Sequence, residues 1–233
     1  MKYSKPIPGK IISGTVSVEN NKSYISITTE EMVQNKPKTG KIVGVDLGLK
    51  DVATLSTGFK TSKIQLKELD DKIKRHHQIL SKKIKDGCNW CKVKGKLSQL
   101  YSDKKNKIQD KLNKLTTYII SEFDEVYVGD VNSQLGLKNK KLSKVTSDAH
   151  WYEIKKQLQY KAEWYGKKFE MVDEKYTSQT CHNCKHQFKE LKLNIRTWTC
   201  SNCGTINDRD INAAVNIRTV GTTGIAFNKT SIS

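Results

Sequence analysis

Lys41-Ile42-Val43-Gly44-Val45-Asp46-Leu47-Gly48-Leu49-Lys50 is an apolar run that ends in an aspartate and a glycine turn. A run of this length, rich in β-branched residues and bounded by turn residues, reads as a buried strand. Two more strand-like runs follow, residues 52–55 and 59–64, with Thr57-Gly58 as the hairpin turn between them. On the other side, Pro37-Lys38-Thr39-Gly40 reads as a boundary. Before it, residues 11–18 and 24–28 flank a turn at Glu19-Asn20-Asn21-Lys22, which makes residues 1–36 a small β unit of their own.

Further along, the apolar period changes from two to that of a helix. Leu66, Leu69, Ile73, Leu80 and Ile84 form one stripe, and Leu97, Leu100, Ile108, Leu112, Leu115 and Ile119 form another. The stretch from Gly87 to Gly95 breaks them into a helical hairpin over residues 65–122. Residues 126–131 read as a buried strand, Trp151, Ile154, Leu158, Ala162 and Tyr165 as one helix face, and residues 169–172 as a strand ending at Asp173-Glu174. Ile211, Ala214, Val215 and Ile217 mark a last helix over residues 208–219, and residues 220–233 read as a flexible polar tail. Three strands, helices, strand, helix, strand, helix is the order of an RNase H-like fold: an α/β mixed sheet with helices on both faces. That fold sets the first and fourth strands side by side, with the fifth beyond the fourth.

Cys181, Cys184, Cys200 and Cys203 form two Cys-x-x-Cys knuckles, the spacing of a zinc ribbon, here over residues 176–207. Cys88 and Cys91 are a second such pair, too few alone to complete a Zn²⁺ site. His76 and His77 read as surface residues of a basic helix, and Trp151, Trp164 and Tyr165 as core, with Tyr160 off the apolar stripe.

Asp46 at the end of the first sheet strand and Asp210 on the last helix suit the corners of a Mg²⁺ site, because Mg²⁺ takes carboxylate and water oxygens from converging elements. The fourth strand should supply a third acid, but the position is Gly129. Asp130 next door points to the opposite sheet face unless the strand twists or bulges. Glu174, on the neighbouring strand about 5 Å away, can reach across the space the glycine leaves. Glu174 is therefore the favoured third acid, with Asp130 as its rival.

The chain has 233 residues with 42 Lys/Arg against 24 Asp/Glu, a net charge of +18. Such a balance favours polyanionic partners, and nucleic acid ahead of membrane because no long apolar stretch exists. Residues 61–115 carry 16 Lys/Arg against 6 Asp/Glu, so the hairpin holds most of the excess. Lys74, Arg75, Lys82, Lys83, Lys85, Lys104 and Lys105 are its candidate phosphate contacts. The N-terminus lacks the apolar segment of a secretion signal, and the cysteines suit zinc rather than a disulfide framework, so an intracellular, reducing setting is expected.

Gly44-Val45-Asp46-Leu47-Gly48, Tyr176-Thr177-Ser178-Gln179-Thr180-Cys181, Trp198-Thr199-Cys200-Ser201-Asn202-Cys203-Gly204 and Asp208-Arg209-Asp210-Ile211-Asn212-Ala213-Ala214 together resemble the TnpB/OrfB family of insertion-sequence proteins. The resemblance runs from about residue 7 to residue 218. It implies a RuvC nuclease domain over residues 37–175, completed by the last helix, that cuts DNA with Mg²⁺ under the direction of a guide RNA. Asp46 matches the first RuvC acid and Asp210 the third. A branch of the family likewise lacks the middle acid at the Gly129 position and carries one at that of Glu174. The resemblance also makes residues 1–36 the last strands of an N-terminal β-barrel, and a separate chain or domain could supply the rest of that lobe. A nuclease-inactive nucleic-acid-binding relative, such as a repressor or decayed copy, is the alternative reading. The presence of both Asp46 and Asp210 weighs against it.

Overall fold

The computed structural model describes residues 6–19, 22–130, 150–192 and 194–227. The chain forms two units: residues 1–34 with 65–110, and residues 35–64 with 111–233.

In the first unit, β1 (Lys10–Glu19) and β2 (Lys22–Glu30) pair antiparallel, with a register shift between Ile11 and Ser13. Apolar side chains alternate along β1, yet Ile11, Val16 and Val18 are exposed, as is Ile25 on β2. Helix α1 (Lys67–Ser81) buries Leu69 and Ile73, the first two helical members of the stripe. Its partner α2 (Cys88–Glu122) buries Leu97 within this unit. Polar ties join the two helices: His77 Nε2 lies 2.9 Å from the Tyr101 hydroxyl, and Lys104 Nζ donates to Asp70 at 2.7 Å.

The expected break is narrower than the sequence suggested. Helix α2 already starts at Cys88, so Gly95 lies inside it, and Ile84 sits in the turn, 88% exposed. The chain reverses at Asp86, with φ 65°, followed by Gly87. Gly95 costs the helix about 1 kcal/mol relative to alanine, too little to stop a helix this long.

The second unit is built on a five-stranded sheet in the order β5-β4-β3-β6-β7. Its strands are β3 (Ile42–Asp46), β4 (Asp51–Leu55), β5 (Lys60–Ser62), β6 (Glu125–Gly129) and β7 (Lys168–Val172). β3, β4 and β5 form the antiparallel meander, while β6 and β7 run parallel to β3. This is the RNase H-like arrangement, with the first and fourth sheet strands adjacent. The C-terminal part of α2, α3 (Trp151–Tyr165) and α4 (Arg209–Thr223) flank the sheet.

Alternation along the strands fixes the two faces. A β-carbon on Gly44 would lie 2.1 Å from the Ala214 carbonyl oxygen of α4, so glycine is what lets that helix lie on β3. Gly44, Asp46, Tyr127 and Gly129 therefore face α4. Val43, Val45, Val126 and Val128 point the other way and are fully buried. Helices α2 and α3 are tied together by the buried Thr116 hydroxyl, which donates to Gln157 at 2.9 Å, and by Lys161 Nζ, which donates to Thr116 and Thr117. In contrast to expectation, Trp164 is 54% exposed and sets its ring edge against Tyr160 rather than entering the core.

Helix α4 also runs past the expected end at 219, to Thr223, and closes on Gly224 in the left-handed conformation. Phe227 beyond it packs against the cluster of Tyr127, Val172, Ile217 and Val220, so the segment up to Phe227 is held. Residues 228–233 of the expected tail lie outside the described residues.

The module between β7 and α4 contains β8 (Thr197–Thr199) paired antiparallel with β9 (Ile206–Asp208). Its small core is Cys181, Leu191, Trp198 and Cys200, with Phe188 stacked on Trp198 at 5.4 Å between centroids.

Candidate active site and metal centre

Strand alternation aims Asp46 toward α4, and Asp210 is presented from the first turn of that helix. Asp208 is the helix N-cap, its carboxylate accepting from the amides of Asp210 and Ile211 while Lys60 donates to it at 2.8 Å. Asp208 thus positions Asp210 by starting the helix and is itself engaged.

Glu174 follows the end of β7, and its side chain fills the space above Gly129. A β-carbon built on Gly129 would lie 2.7 Å from Glu174 Oε2 and 3.2 Å from Glu174 Cβ. The absent side chain at 129 and the extra carboxylate at 174 therefore occupy the same volume. Asp130 turns to the other face, where Lys155 of α3 donates to it at 3.0 Å; its side chain is 62% exposed.

Electrostatics links the acids. Burial, then the negative charges of Glu174 and Asp210, push the Asp46 carboxyl up to about 7. Burial also pushes Glu174 above the usual carboxylate range. Arg196, from the cysteine module, donates to Asp210 at 3.1 Å and draws part of this negative charge away. A clustered, half-buried set of carboxylates that raises its own proton affinity is the environment a hard divalent cation relieves. The donor set, all carboxylate oxygen, fits Mg²⁺.

The four thiols of Cys181, Cys184, Cys200 and Cys203 all lie within 4.8 Å of one another, a group capable of holding a metal ion. Cys181 and Cys203 sulfurs are 3.7 Å apart and those of Cys184 and Cys200 3.5 Å. With Zn–S bonds of about 2.3 Å, the edge of a tetrahedron is about 3.8 Å. Disulfide bonds, at about 2.05 Å, are excluded. Both knuckles close alike: the Lys185 amide donates to the Cys181 carbonyl and the Gly204 amide to the Cys200 carbonyl, each at 2.9 Å, with both residues in the left-handed conformation. Among the described residues no other group of three or more candidate ligands is so tightly gathered, the acids included.

Two residues were missed from sequence. Asn212 and Asn216, one turn apart on α4, are fully buried and donate to backbone carbonyls of the segment between Glu174 and the first knuckle. Asn212 Nδ2 reaches the Thr180 carbonyl at 2.8 Å and the Thr177 carbonyl at 3.1 Å, while its Oδ1 accepts from the His182 amide at 2.8 Å. Asn216 Nδ2 reaches the same Thr177 and Thr180 carbonyls at 2.8 and 2.6 Å. A signal was available: two amides at i and i+4 on the apolar side of a helix cannot be buried without partners.

The hairpin cations separate into two groups. Lys74, Arg75, Lys82, Lys83, Lys85 and Lys105 are exposed, while Lys104 is committed to Asp70. His76 and His77 bond within the hairpin, and Cys88 and Cys91 stand exposed in the first turn of α2. No helix among the described residues is long and apolar enough to cross a membrane.

Residues 15–140 match the OrfB_IS605 family model, described as a probable transposase, and residues 151–217 match that of the Cas12f1-like TNB domain. Two bacterial proteins named "Putative RNA-guided DNA endonuclease" are similar over 95% of this chain at 32% identity, one from Streptomyces pristinaespiralis and one, InsQ, from Escherichia coli K12. The chain spans 56% and 60% of their respective lengths. Among solved structures, a Cas12f1–sgRNA–target DNA complex superposes with TM-score 0.55 at 18% identity, over 87% of this chain and 55% of that one. A CRISPR-Cas12f ternary complex gives 0.56 at 21% identity, over 84% and 41%. At these identities the likeness is one of fold.

Proposed function

The chain belongs to the TnpB/OrfB family of insertion-sequence proteins, and on that premise we propose that it is a RuvC-type endonuclease cutting DNA with Mg²⁺ under the direction of a guide RNA. The observation that carries the proposal is the place of Glu174: its carboxylate fills the volume above Gly129, on the sheet face that carries Asp46 and Asp210. Asp46, Glu174 and Asp210 are the catalytic acids and would hold Mg²⁺. Bound there, Mg²⁺ would supply an activated water and neutralise charge developing on the phosphate. Arg196 offsets negative charge beside Asp210, and the α4 face of the sheet gives the acids a half-buried, low-dielectric floor. The thiols of Cys181, Cys184, Cys200 and Cys203 hold structural Zn²⁺, as their tetrahedral spacing and closed shell suit. The exposed cations Lys74, Arg75, Lys82, Lys83, Lys85 and Lys105 serve phosphate contact, with Lys104 secondary because Asp70 already engages it.

A side-by-side cleavage assay on single-stranded DNA, with and without a candidate guide RNA, tests the assignment. Asp46→Ala, Asp210→Ala and Glu174→Gln should each abolish Mg²⁺-dependent cleavage, and Asp130→Asn should be mild. Binding should survive in all four and fall by ~10³ between 50 and 200 mM salt if about six phosphates are contacted. Full activity in Glu174→Gln with loss in Asp130→Asn would move the role to Asp130.

A further inference from the structure

The proposed function leaves the second Cys-x-x-Cys pair unused. Cys88 and Cys91 are both exposed, at the start of α2, where the chain reverses through Asp86 and Gly87. Unpaired cysteine is ordinarily among the most buried residue types, so two exposed on one helical turn call for a reason. The turn is fully formed, since the Cys91 amide donates to the Gly87 carbonyl at 3.0 Å. Side chains three positions apart on a helix have their β-carbons about 5–6 Å apart. An unstrained disulfide needs about 3.5–4.5 Å between them, so closing one would distort the turn. Two sulfurs bonded to one Zn²⁺ stand about 3.8 Å apart, a separation that rotation about the side-chain bonds reaches with the helix intact.

The surroundings suit an anionic cluster. Lys82, Lys83 and Cys88 line a common concavity of about 340 Å³. Residues 82–96 carry six lysines against one acid, and the positive end of the α2 dipole lies at the same place. Zn²⁺ held by four thiolates is a net dianion, which these charges offset.

The chain cannot complete such a site by itself. Of its 6 cysteines, four are gathered in the ribbon. His77 bonds Tyr101, ten residues past Cys91 on α2 and so about 15 Å along the helix, and His76 bonds within α1. Asp86 is the sole acid between residues 72 and 102, and one carboxylate would still leave a closed site a ligand short.

We propose that this turn is half of a Zn²⁺ site, completed by Cys88 and Cys91 of a second copy of the chain. A two-fold axis through the ion lets one pair serve both copies. Each thiol releases its proton as its Zn–S bond forms. Ile84, 88% exposed and lining the same concavity, would be covered as the two turns meet. The lysines of the two turns repel, so pairing requires the ion. The inference is independent of the nuclease reading.

The test uses the full chain, reduced and free of nucleic acid, titrated with Zn²⁺ alone, with zinc content and mass by light scattering read on the same samples. The unmodified chain should hold about half an equivalent more Zn²⁺ per chain than Cys88→Ser or Cys91→Ser. Its mass should be twice theirs once that half equivalent is filled. A chelator should return it to the mass of the variants before any ion held by the ribbon thiols is lost, because a site shared between chains also weakens on dilution. Asp86→Asn should leave both readings unchanged. Both serine changes are at exposed positions, and matching thermal midpoints would confirm that the fold is kept. Equal zinc content in the unmodified chain and both serine variants would overturn the proposal. So would a full extra equivalent in a monomer, which would mean that each pair takes its own ion. Association that needs an oxidant and is reversed by reductant without metal would also overturn it, in favour of an interchain disulfide.

Discussion

The two candidate metal centres are neighbours in sequence and opposites in construction. The four thiols are gathered to within 4.8 Å of one another, while the three acids are not. The thiols are placed by the knuckle hydrogen bonds and by the small apolar core around Trp198. Carboxylates repel, and burial together with the negative charges of Glu174 and Asp210 pushes the Asp46 carboxyl up to about 7. Arg196 holds Asp210 from the other side. One centre is a closed group of thiols able to hold a metal ion; the other is an open set of acids, with a cation from the module that carries the thiols beside Asp210.

The largest effect should come from breaking the closed centre. Its apolar core is a handful of residues around Trp198 and Phe188, too small to hold a fold alone, and structural zinc contributes about 10–16 kcal/mol in modules of this size. Cys200→Ser should abolish stoichiometric zinc and unfold the ribbon, with loss of the Trp198 near-ultraviolet signal, while the sheet unit keeps its strand content. Elemental analysis finding no zinc in the unmodified chain purified without chelator would remove the contrast between the centres altogether.

The open centre should respond to crowding at Gly129. A methyl group there would meet Glu174 Oε2 at 2.7 Å and Ile217 Cδ1 at 3.0 Å, contacts that force the carboxylate aside. Gly129→Ala should lower cleavage by about 10², since a misplaced ligand of order 1 Å costs that much. Moving the acid rather than crowding it sharpens the comparison: Gly129→Glu placed in the Glu174→Gln chain should regain part of the lost activity. No recovery, with the protein folded, would mean that position and not merely charge is set by β7.

Much of this was legible in the residues. The strands showed as apolar runs, their order in the sheet followed from the RNase H-like succession of elements, and the place of Glu174 followed from strand geometry once Gly129 was noticed. The zinc spacing needed no structure. What escaped had local physical causes. Gly95 sits within a helix because neighbouring helix formers outweigh one glycine, and Trp164 is exposed because it shares a helix with a core stripe without lying on it. Asn212 and Asn216 were hidden since their partners are backbone carbonyls, which every sequence has and none advertises. The strain on Asp46 was equally invisible, because it depends first on burial in the folded sheet and then on charges from elements far apart in the chain.

That strain predicts a pH signature smaller than either mutational effect. The Asp46 carboxyl titrates near 7 when folded, against about 3.9 in an unfolded chain. A raised folded value means the stabilising contribution is complete below about pH 4 and is lost as pH rises through 7. Without Mg²⁺, the protein should therefore lose stability between about pH 4 and 7 in a way that Asp46→Asn does not, by on the order of 2 kcal/mol after allowing for solvent screening. Millimolar Mg²⁺ at pH 8 should restore most of the difference. Parallel stability curves for the two proteins across this range would leave the open centre without its charge strain.

The smallest effect concerns the link between the centres. Glu174 is followed by a turn in which Tyr176 adopts φ 61° and the Thr177 hydroxyl donates to the Glu174 carbonyl at 2.7 Å. The carbonyls of Thr177 and Thr180 are in turn held by Asn212 and Asn216, on the helix that presents Asp210. One short segment thus joins Glu174 to Cys181, and two amides fasten it to the third acid. The two asparagines reach the same pair of carbonyls, so either can serve when the other is gone. Asn216→Ala should cost only about 1 kcal/mol and reduce cleavage severalfold at most. Asn212→Ala should cost more, because the His182 amide then loses its acceptor as well. Removing both strands two buried carbonyls, and the double variant should lose more than the sum of the singles, with a coupling of about 1 kcal/mol or above in a double-mutant cycle. Measured by zinc retention against a competing chelator and by cleavage on the same samples, the two losses should move together. If zinc is retained while cleavage falls, the clamp serves the acids alone. If the losses are simply additive, the amides act independently and the two centres are not coupled through this segment.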